Sequence, residues 1–302
     1  MLTRINERTG HQAAIYALCP APGGFFSAAA DGYLVRWQAD DAELGKVVAQ
    51  VEGGKFLCLT TLYDGGLVAG ALDGGVHWLY PGAAERNLHI AQHRRGVFAI
   101  CRVGDEVFTG GGDGILTRWN AHTGRTLESL PLSANSLRCI AHFPAANALL
   151  VGASDGQIYT VSLPDFTLIH TVPANEPSVF TVVPIPPGLG PGYISGGRDA
   201  RLRVFGYPVG KEIQLPPVTD AHLSTVNAMA FDPTGQFLAT ASRDKTVKLW
   251  KADTLELLKV CEVVRDRGHV NSVNTLLWLD DKHLLTAGDD RRILEWRLND
   301  QT

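Results

Sequence analysis

The amino-acid sequence predicts an all-β fold assembled from seven similar units, and three observations lead to that prediction. Glycine accounts for 32 of the 302 residues, more than is usual, which indicates many tight turns. Charged residues make up 19% of the chain, too few for a disordered or long-helical protein. A short motif, in which a turn aspartate precedes an alternating strand, recurs along the chain. The sequence therefore describes a turn-rich globular protein of short strands.

The spacing of that motif indicates the architecture. Its clearest copy, residues 237–250, reads as a strand, a turn opened by Asp244 and a second strand that ends at Trp250. Along the chain, the turn aspartates of the seven copies recur at intervals of 40 to 46 residues, at Asp31, Asp73, Asp113, Asp155, Asp199, Asp244 and Asp290. Repeats of this length, filled with strands and turns, are typical of four-stranded propeller blades. We therefore predict that residues 1–302 form a single domain, a seven-bladed β-propeller of four-stranded antiparallel blades.

The repeats resemble those of the WD-repeat β-propeller family over essentially the whole chain. Repeats of that family place a Gly-His pair upstream of a Trp-Asp or Trp-x end, and Gly10-His11 and Gly268-His269 match the pair. Gln92-His93 and Ala221-His222 are looser copies. The resemblance implies a propeller that binds proteins or peptides, most often across the face that carries the histidine loops and the aspartate turns.

Four repeats contain a complete set of histidine, hydroxyl residue, aspartate and tryptophan, here called a tetrad. The tetrads are His11/Ser27/Asp31/Trp37, His93/Thr109/Asp113/Trp119, His222/Thr240/Asp244/Trp250 and His269/Thr286/Asp290/Trp296. A buried turn aspartate needs a donor, and a histidine can supply one while its other ring nitrogen reaches the hydroxyl and then the indole. We therefore predict a structural role for the tetrads, tying the outer loop of each blade to its inner strands.

The second, fourth and fifth repeats depart from this pattern. Leu79, Val161 and Phe205 stand at the tryptophan position, and Ala69 and Val151 replace the hydroxyl residue in the second and fourth repeats. Because these repeats also lack the histidine, we expect their blades to rely on apolar packing alone.

The ring of blades has to close. Too few residues follow Trp296 to supply a fourth strand for the seventh repeat. Residues 2–5 lie before His11 and can supply that outer strand. The N-terminal strand is therefore predicted to complete the last blade and close the ring.

Several patterns imitate catalytic or ligand sites. Residues 152–156 match the Gly-x-Ser-x-Gly nucleophile elbow, but a strand follows where the elbow requires a helix. Residues 110–114 resemble a phosphate loop without its Lys-Ser/Thr. The tetrads have the composition of a catalytic triad but occur four times at equivalent positions. We therefore predict that the protein is not an enzyme and has no catalytic residue, metal site or cofactor.

The repeat register places two groups of residues at the mouth of the central channel. The first three repeats contribute an apolar and aromatic group, Tyr16, Leu57, Leu72 and Phe98. The next three contribute Arg138, Phe180, Arg198 and Arg243. Aromatic residues and arginine dominate binding hot spots. We therefore expect a protein or peptide partner with an apolar anchor over the first group and acidic groups over the second.

Charge and cysteine content indicate the setting. The net charge of -4, with no basic stripe, favours neither nucleic acid nor a membrane as partner. The five cysteines are odd in number and form no Cys-x-x-Cys pair, which fits a reducing cytoplasm. We expect a monomer. Two alternatives stay open: a propeller hydrolase or lyase with a site at the central channel, and a nucleic-acid-binding propeller.

One segment lies outside the repeat pattern. Residues 184–192 are rich in proline and glycine and lengthen the fifth repeat between its first two strands. The prolines predict a stiff projection on the face opposite the aspartate turns, either a second contact site or a tolerated surface insertion.

Overall fold

The computed structural model describes residues 2–39, 45–211 and 213–299, which form 28 strands in seven four-stranded antiparallel sheets. The innermost strand of each sheet packs against the innermost strands of both neighbouring sheets, so the sheets are the blades of a closed ring. The predicted seven-bladed propeller is confirmed.

The strands of each blade are named below in order from the central channel to the outer edge. Blades 1 and 2 contain β2 (Ile15–Ala21), β3 (Gly24–Ala29), β4 (Tyr33–Gln38), β5 (Lys46–Gln50), β6 (Phe56–Thr61), β7 (Leu67–Ala71), β8 (Gly75–Leu79) and β9 (Leu88–Ala91). Blades 3 and 4 contain β10 (Val97–Val103), β11 (Glu106–Gly111), β12 (Ile115–Asn120), β13 (Thr126–Pro131), β14 (Leu137–Phe143), β15 (Ala148–Ala153), β16 (Gln157–Ser162) and β17 (Leu168–Pro173). Blades 5 and 6 contain β18 (Val179–Pro184), β19 (Gly192–Gly197), β20 (Arg201–Gly206), β21 (Val218–Asp220), β22 (Val226–Phe231), β23 (Phe237–Ser242), β24 (Val247–Lys251) and β25 (Leu257–Cys261). Blade 7 contains β26 (Val273–Trp278), β27 (His283–Gly288), β28 (Ile293–Leu298) and, outermost, β1 (Leu2–Arg8).

Helical structure is confined to short connections. The α-helix α1 (Val263–Asp266) links blades 6 and 7, and 3-10 turns cover Ala84–Arg86, Pro144–Ala146 and Pro187–Leu189. No helix in the described ranges has the length and apolar content needed to cross a membrane.

Apolar side chains between adjacent blades form the core. Trp37 of blade 1 is buried with Leu285 and Ile293 of blade 7. Leu34 of blade 1 packs with Leu67 of blade 2 in the same way. Strands sandwiched between blades are buried on both faces, which explains why the chain carries so few charges.

Every innermost strand contains a β-bulge at its second residue. In β2, Ile15 and Ala17 pair with the consecutive residues Ala29 and Ala28 of β3, so Tyr16 is the extra residue. The other six innermost strands repeat this interruption. A bulge bends its strand and re-aims the extra side chain. The bulge residues are Tyr16, Leu57, Phe98, Arg138, Phe180, Asn227 and Asn274.

The N-terminal strand closes the ring as the sequence predicts. Strand β1 pairs antiparallel with β28 from Leu2↔Leu298 to Arg8↔Ile293. Arg8 is 1% exposed, and its Nη1 donates to Glu295 Oε2 at 2.7 Å. Its Nη2 also reaches the carbonyl oxygen of Ala39, beyond the end of β4 in blade 1, at 3.2 Å. One buried guanidinium thus links the first blade to both outer strands of the last.

The proline-rich segment differs from its prediction. Ile185 is buried, and Leu189 packs against an apolar cluster that includes Leu215 and Leu255. Gly235 of blade 6 lies so close to Pro186 that a Cβ there would come within 2.9 Å of the proline Cβ. The prediction of a stiff projection is therefore wrong, because the apolar side chains of the segment pack against blades 5 and 6.

Removing the Arg8 side chain is expected to destabilise the whole ring. In Arg8→Ala, the Glu295 carboxylate is left buried without its partner, which costs about 3 to 5 kcal/mol of unfolding free energy. The measurement is a denaturant melt, with Arg4→Ala as the control, since Arg4 makes a part-exposed pair with Glu7 worth under about 1 kcal/mol. Deletion of residues 1–8 should lower the melting temperature further, and an unchanged temperature would contradict the closure role.

Candidate functional site

The residues of each predicted tetrad lie within hydrogen-bond distance of one another. The histidine Nδ1 is 2.9 to 3.1 Å from the turn aspartate in blades 1, 3, 6 and 7. The histidine Nε2 is 2.7 to 2.9 Å from the serine or threonine hydroxyl. The tryptophan Nε1 donates to the same hydroxyl oxygen at 2.8 to 2.9 Å.

The hydroxyl and indole members of the tetrads lie inside the blades, where a partner cannot touch them. The hydroxyl residues are 0% exposed, and they are Ser27, Thr109, Thr240 and Thr286. The tryptophans are at most 3% exposed, and they are Trp37, Trp119, Trp250 and Trp296. Of these, Trp119 also packs against Trp78 of blade 2, with the ring centroids 5.1 Å apart. Such burial suits a structural role and excludes these eight side chains from direct contact with a ligand.

With a neutral histidine, every donor and acceptor in the tetrad's series of hydrogen bonds has a partner. The aspartate accepts, so Nδ1 carries the proton and Nε2 is left as an acceptor. The hydroxyl then donates to Nε2 and accepts from the indole. Burial lowers the pKa of His93 and His222, which favours the neutral ring, although the aspartates oppose that effect. Burial alone would raise the pKa of Asp290, but the hydrogen bonds from His269 and Arg292 bring it to about 2.

Each tetrad also fixes the loop that precedes its innermost strand. Asp31 Oδ2 accepts the backbone N–H of Gln12 at 2.8 Å, and the equivalent bond recurs from Arg94, Leu223 and Val270. The loop histidine and the bulge residue are five positions apart in all four tetrad blades. The tetrads therefore determine where the bulge side chains lie. The aspartate turns and these loops share one side of the ring, here called the loop face.

The bulge residues surround a cavity at the centre of the loop face. Its volume is about 740 Å³, and all seven bulge residues line it. Leu72 and Arg243 also line it, so the cavity brings together seven of the eight predicted partner-binding residues. The eighth, Arg198, is exposed but does not line the cavity. Lys55 and Ser272 line it as well, just before the innermost strands of blades 2 and 7, at positions that the repeat register did not select.

The two sides of the cavity differ in polarity. On blades 3 to 5, the Arg138 guanidinium lies between the Phe98 and Phe180 rings, with its Cζ 4.4 and 4.6 Å from their centroids. On blade 7, Asn274 Nδ2 donates to Asp289 Oδ1 at 2.7 Å. One part of the lining thus offers a cation held against aromatic rings, and another part offers a hydrogen-bonded carboxylate.

The family model "WD domain, G-beta repeat" matches residues 214–251 and 260–297, the repeats of blades 6 and 7. Those two repeats carry complete tetrads, and the ring repeats their four-stranded unit seven times.

The chain is a WD-repeat β-propeller.

Other proteins agree with this assignment. The WD40 β-propeller domain of Doa1 superimposes with a TM-score of 0.85 at 17% identity, covering 99% of this chain and 97% of that one. Actin-interacting protein 1 of Caenorhabditis elegans is 22% identical over 96% of this chain and 48% of its own length. Target of rapamycin complex subunit wat1 of Schizosaccharomyces pombe is 32% identical over 36% of this chain and 33% of its own. This chain thus spans at most about half of these two relatives.

Two WD-repeat blades that lack the tetrad replace it with other polar groups. In blade 5, Asn175 stands in for the histidine: its amide donates to Asp199 at 2.8 Å, and Ser195 donates to its carbonyl at 2.6 Å. In blade 4, Ser133 Oγ and Tyr159 Oη both hydrogen-bond Asp155. The expectation that these blades rely on apolar packing alone is therefore wrong. A polar residue 20 to 24 positions before the turn aspartate is the sequence signal that would have identified them.

Blade 2 of the WD-repeat ring carries an unpaired buried histidine. His77 is 5% exposed, and its Nε2 has no hydrogen-bond partner among the described residues. Its ring lies 4.4 Å from that of His89 and contacts Phe56 edge-on. Burial, reinforced by His89, lowers the pKa of His77 to about 4 even though Asp73 opposes the shift. Blade 2 therefore contains a group that resists protonation.

The described residues contain no cluster of three or more His, Cys, Asp or Glu side chains suited to a metal ion. The five cysteines are free thiols. Burial raises the pKa of Cys19, Cys58, Cys139 and Cys261 to about 12, so these thiols stay protonated at neutral pH.

Loss of one tetrad hydroxyl should destabilise the propeller. Thr240→Val keeps the shape but leaves the Trp250 N–H and His222 Nε2 unpaired while buried, at a cost of about 2 to 4 kcal/mol. The control is Thr117→Val in blade 3, where the buried hydroxyl has only a 3.3 Å contact with Ser129 and one of equal length with Gln92. Urea melts compare the two variants, and equal losses would argue against the tetrad as a stabilising unit.

Acidification should weaken the fold through His77. Its pKa is about 4 in the folded protein and about 6.5 when unfolded, so its contribution is complete above pH 6.5 and is lost as the pH falls to 4. That contribution is at most about 3 kcal/mol. Unfolding free energies measured from pH 7 to pH 4 should fall less steeply for His77→Leu than for the native chain. Identical slopes would contradict the assignment.

Proposed function

We propose that this propeller is a non-enzymatic platform that docks a protein or peptide across the loop face. The partner places an apolar anchor over Tyr16, Leu57, Leu72 and Phe98, and acidic groups towards Arg138, Arg198 and Arg243. The observation that carries the proposal is the central cavity, since all of these residues except Arg198 line it, together with Phe180, and they come from six of the seven blades.

The surface has the composition and rigidity of a binding site. Tyr16 is 37% exposed and Leu72 is 46% exposed, although both are large and apolar or aromatic. Aromatic and arginine side chains in a concave site supply most of the energy of protein recognition. Four of the seven bulge residues stand on strands held by tetrads, so little conformational entropy is lost there when a partner binds.

The names of the relatives favour a protein partner. One is an actin-interacting protein and another is a subunit of a complex. Both names describe proteins that act together with other proteins, and we extend that mode of action to this chain.

The geometry supports this function over the two alternatives. In the described lining the carboxylate is Asp289, which is already hydrogen-bonded to Asn274, and the tetrad histidines lie buried away from the cavity. A hydrolase or lyase needs an acid or base that faces its substrate. For nucleic acid, the basic residues of the described lining are Lys55, Arg138 and Arg243, on three separate blades, which are too few to follow a phosphate backbone. We propose that residues 1–302 act as one propeller domain, monomeric by itself and cytoplasmic, as the free thiols favour.

Peptides that bind the propeller should depend on the loop face. We expect a random displayed peptide library to yield binders whose Kd rises roughly tenfold or more with Tyr16→Ser combined with Leu72→Ser, because two partly exposed anchors are removed without a core cavity. The control is Tyr63→Ser, a 70% exposed tyrosine on the opposite face. Titration calorimetry measures each Kd, and binders that lose affinity only with Tyr63→Ser would refute docking on the loop face.

A further inference from the structure

Arg138 occupies an unusual position for a charged side chain. Phe98, Arg138 and Phe180 are the bulge residues of three successive blades, so the ring stacks them side by side. The guanidinium Cζ is 4.4 Å from one phenyl centroid and 4.6 Å from the other. The guanidinium is therefore packed against two aromatic rings, contributed by the blades on either side of its own, and we call this arrangement the arginine clamp.

The clamp leaves the hydrogen-bonding edge of Arg138 unused. A guanidinium has five N–H donors, all directed outwards in its own plane. None of them meets an acceptor or a carboxylate within the part of the chain that the structure describes. Stacking on phenyl rings stabilises the cation but satisfies none of these donors. A part-buried charge with free donors gains strongly from an anionic acceptor in its plane.

The clamp resembles a binding group more than a structural one. Arg8 and Arg118, which are buried and part-buried, are paired with Glu295 and Glu106 respectively. Arg138 lies in the cavity wall, where Lys55 and Arg243 add positive charge. The acid of the described lining, Asp289, lies on blade 7 and is held by Asn274. In a protein of net charge -4, the described cavity lining thus carries three basic side chains, on blades 2, 4 and 6, against the carboxylate of Asp289.

We propose that the arginine clamp seats the side-chain carboxylate of one Asp or Glu in a peptide that lies across the mouth. The inference rests on the proposed function and specifies its central contact. The planar fork of Arg138 fits a carboxylate with two parallel hydrogen bonds, whereas the phenyl rings fix its orientation. Arg138 is the second residue of β14, at the loop-face end of the strand, so a side chain from a crossing peptide reaches it without a chain terminus entering the channel. Residues next to the acid in the peptide lie against Leu57 and Leu72.

The test is a double-mutant cycle on a peptide selected from the displayed library and then synthesised with both ends capped. We expect a Glu→Gln or Asp→Asn change in the peptide to weaken binding roughly ten- to hundredfold with the native chain. With Arg138→Gln, the same change in the peptide should alter the Kd less than about twofold, because the two groups act as one contact. Arg243→Gln is the matched control: it removes an exposed charge from the same cavity without a clamp and should leave the effect of the peptide change largely intact.

A second variant protects the test against misfolding. Arg138→Lys keeps the charge but loses the planar fork, so it should recover only a small part of the acid dependence. Thermal melts establish that each variant is folded before its Kd is compared.

The possible outcomes separate this inference from the proposed function. Peptides that need Tyr16 and Leu72 but bind equally well after Glu→Gln or Arg138→Gln would overturn the clamp and leave loop-face docking in place. Roughly tenfold tighter binding of a phosphoserine in place of the acid would also overturn the carboxylate assignment. A library that yields no binder dependent on the loop face would overturn both.

Discussion

The loop face depends on one constraint, the need to satisfy a turn aspartate in each blade. In the tetrad blades the carboxylate accepts from a backbone N–H of the preceding loop and from a histidine that bridges to a strand hydroxyl. An unpaired carboxylate in such a position would be costly, so the loop has little freedom. Because the histidine and the bulge residue are five positions apart, the same bonds that hold the loop also place Tyr16, Phe98 and their equivalents at the mouth. Stability and the placement of these bulge residues therefore come from one network.

The blades solve this constraint in different ways. Asn175 reproduces both ends of the histidine bridge with its amide, donating to Asp199 and accepting from Ser195. Tyr159 reaches Asp155 from the neighbouring strand, so blade 4 dispenses with a bridge from loop to strand hydroxyl. Blade 2 has neither solution and keeps an unpaired His77 in its interior. The burial of this histidine makes blade 2 sensitive to acid.

Much of this architecture could be predicted from sequence because the repeats fix it locally. The period of the aspartates located the blades, and the five-residue offset located the bulge positions that line the mouth. The residues that replace the histidine in blades 4 and 5 were not predicted, because the sequence motif specifies histidine. The structure requires only a donor and an acceptor within hydrogen-bond distance of the aspartate and the strand. The arginine clamp could not be predicted either. Phe98, Arg138 and Phe180 are about 40 residues apart, and only the ring geometry brings them into contact.

Buried residues stabilise the fold and bulge residues line the cavity, which explains how this fold can carry a specific site. Tetrad side chains such as Ser27, Thr109 and Thr286 are fully committed to their histidine and tryptophan partners, so changing them costs stability. Bulge side chains make no strand pairing and project into the cavity, so the fold constrains their identity less. Blades 6 and 7 use this freedom for Asn227 and Asn274, which hydrogen-bond to neighbouring backbone and side chains and complete the cavity wall. Blades 3 to 5 use it to hold one guanidinium between two rings with its donors free. A position that the fold constrains little thus holds a part-buried positive charge. An anionic partner in the plane of that guanidinium would offset the cost of removing the charge from water.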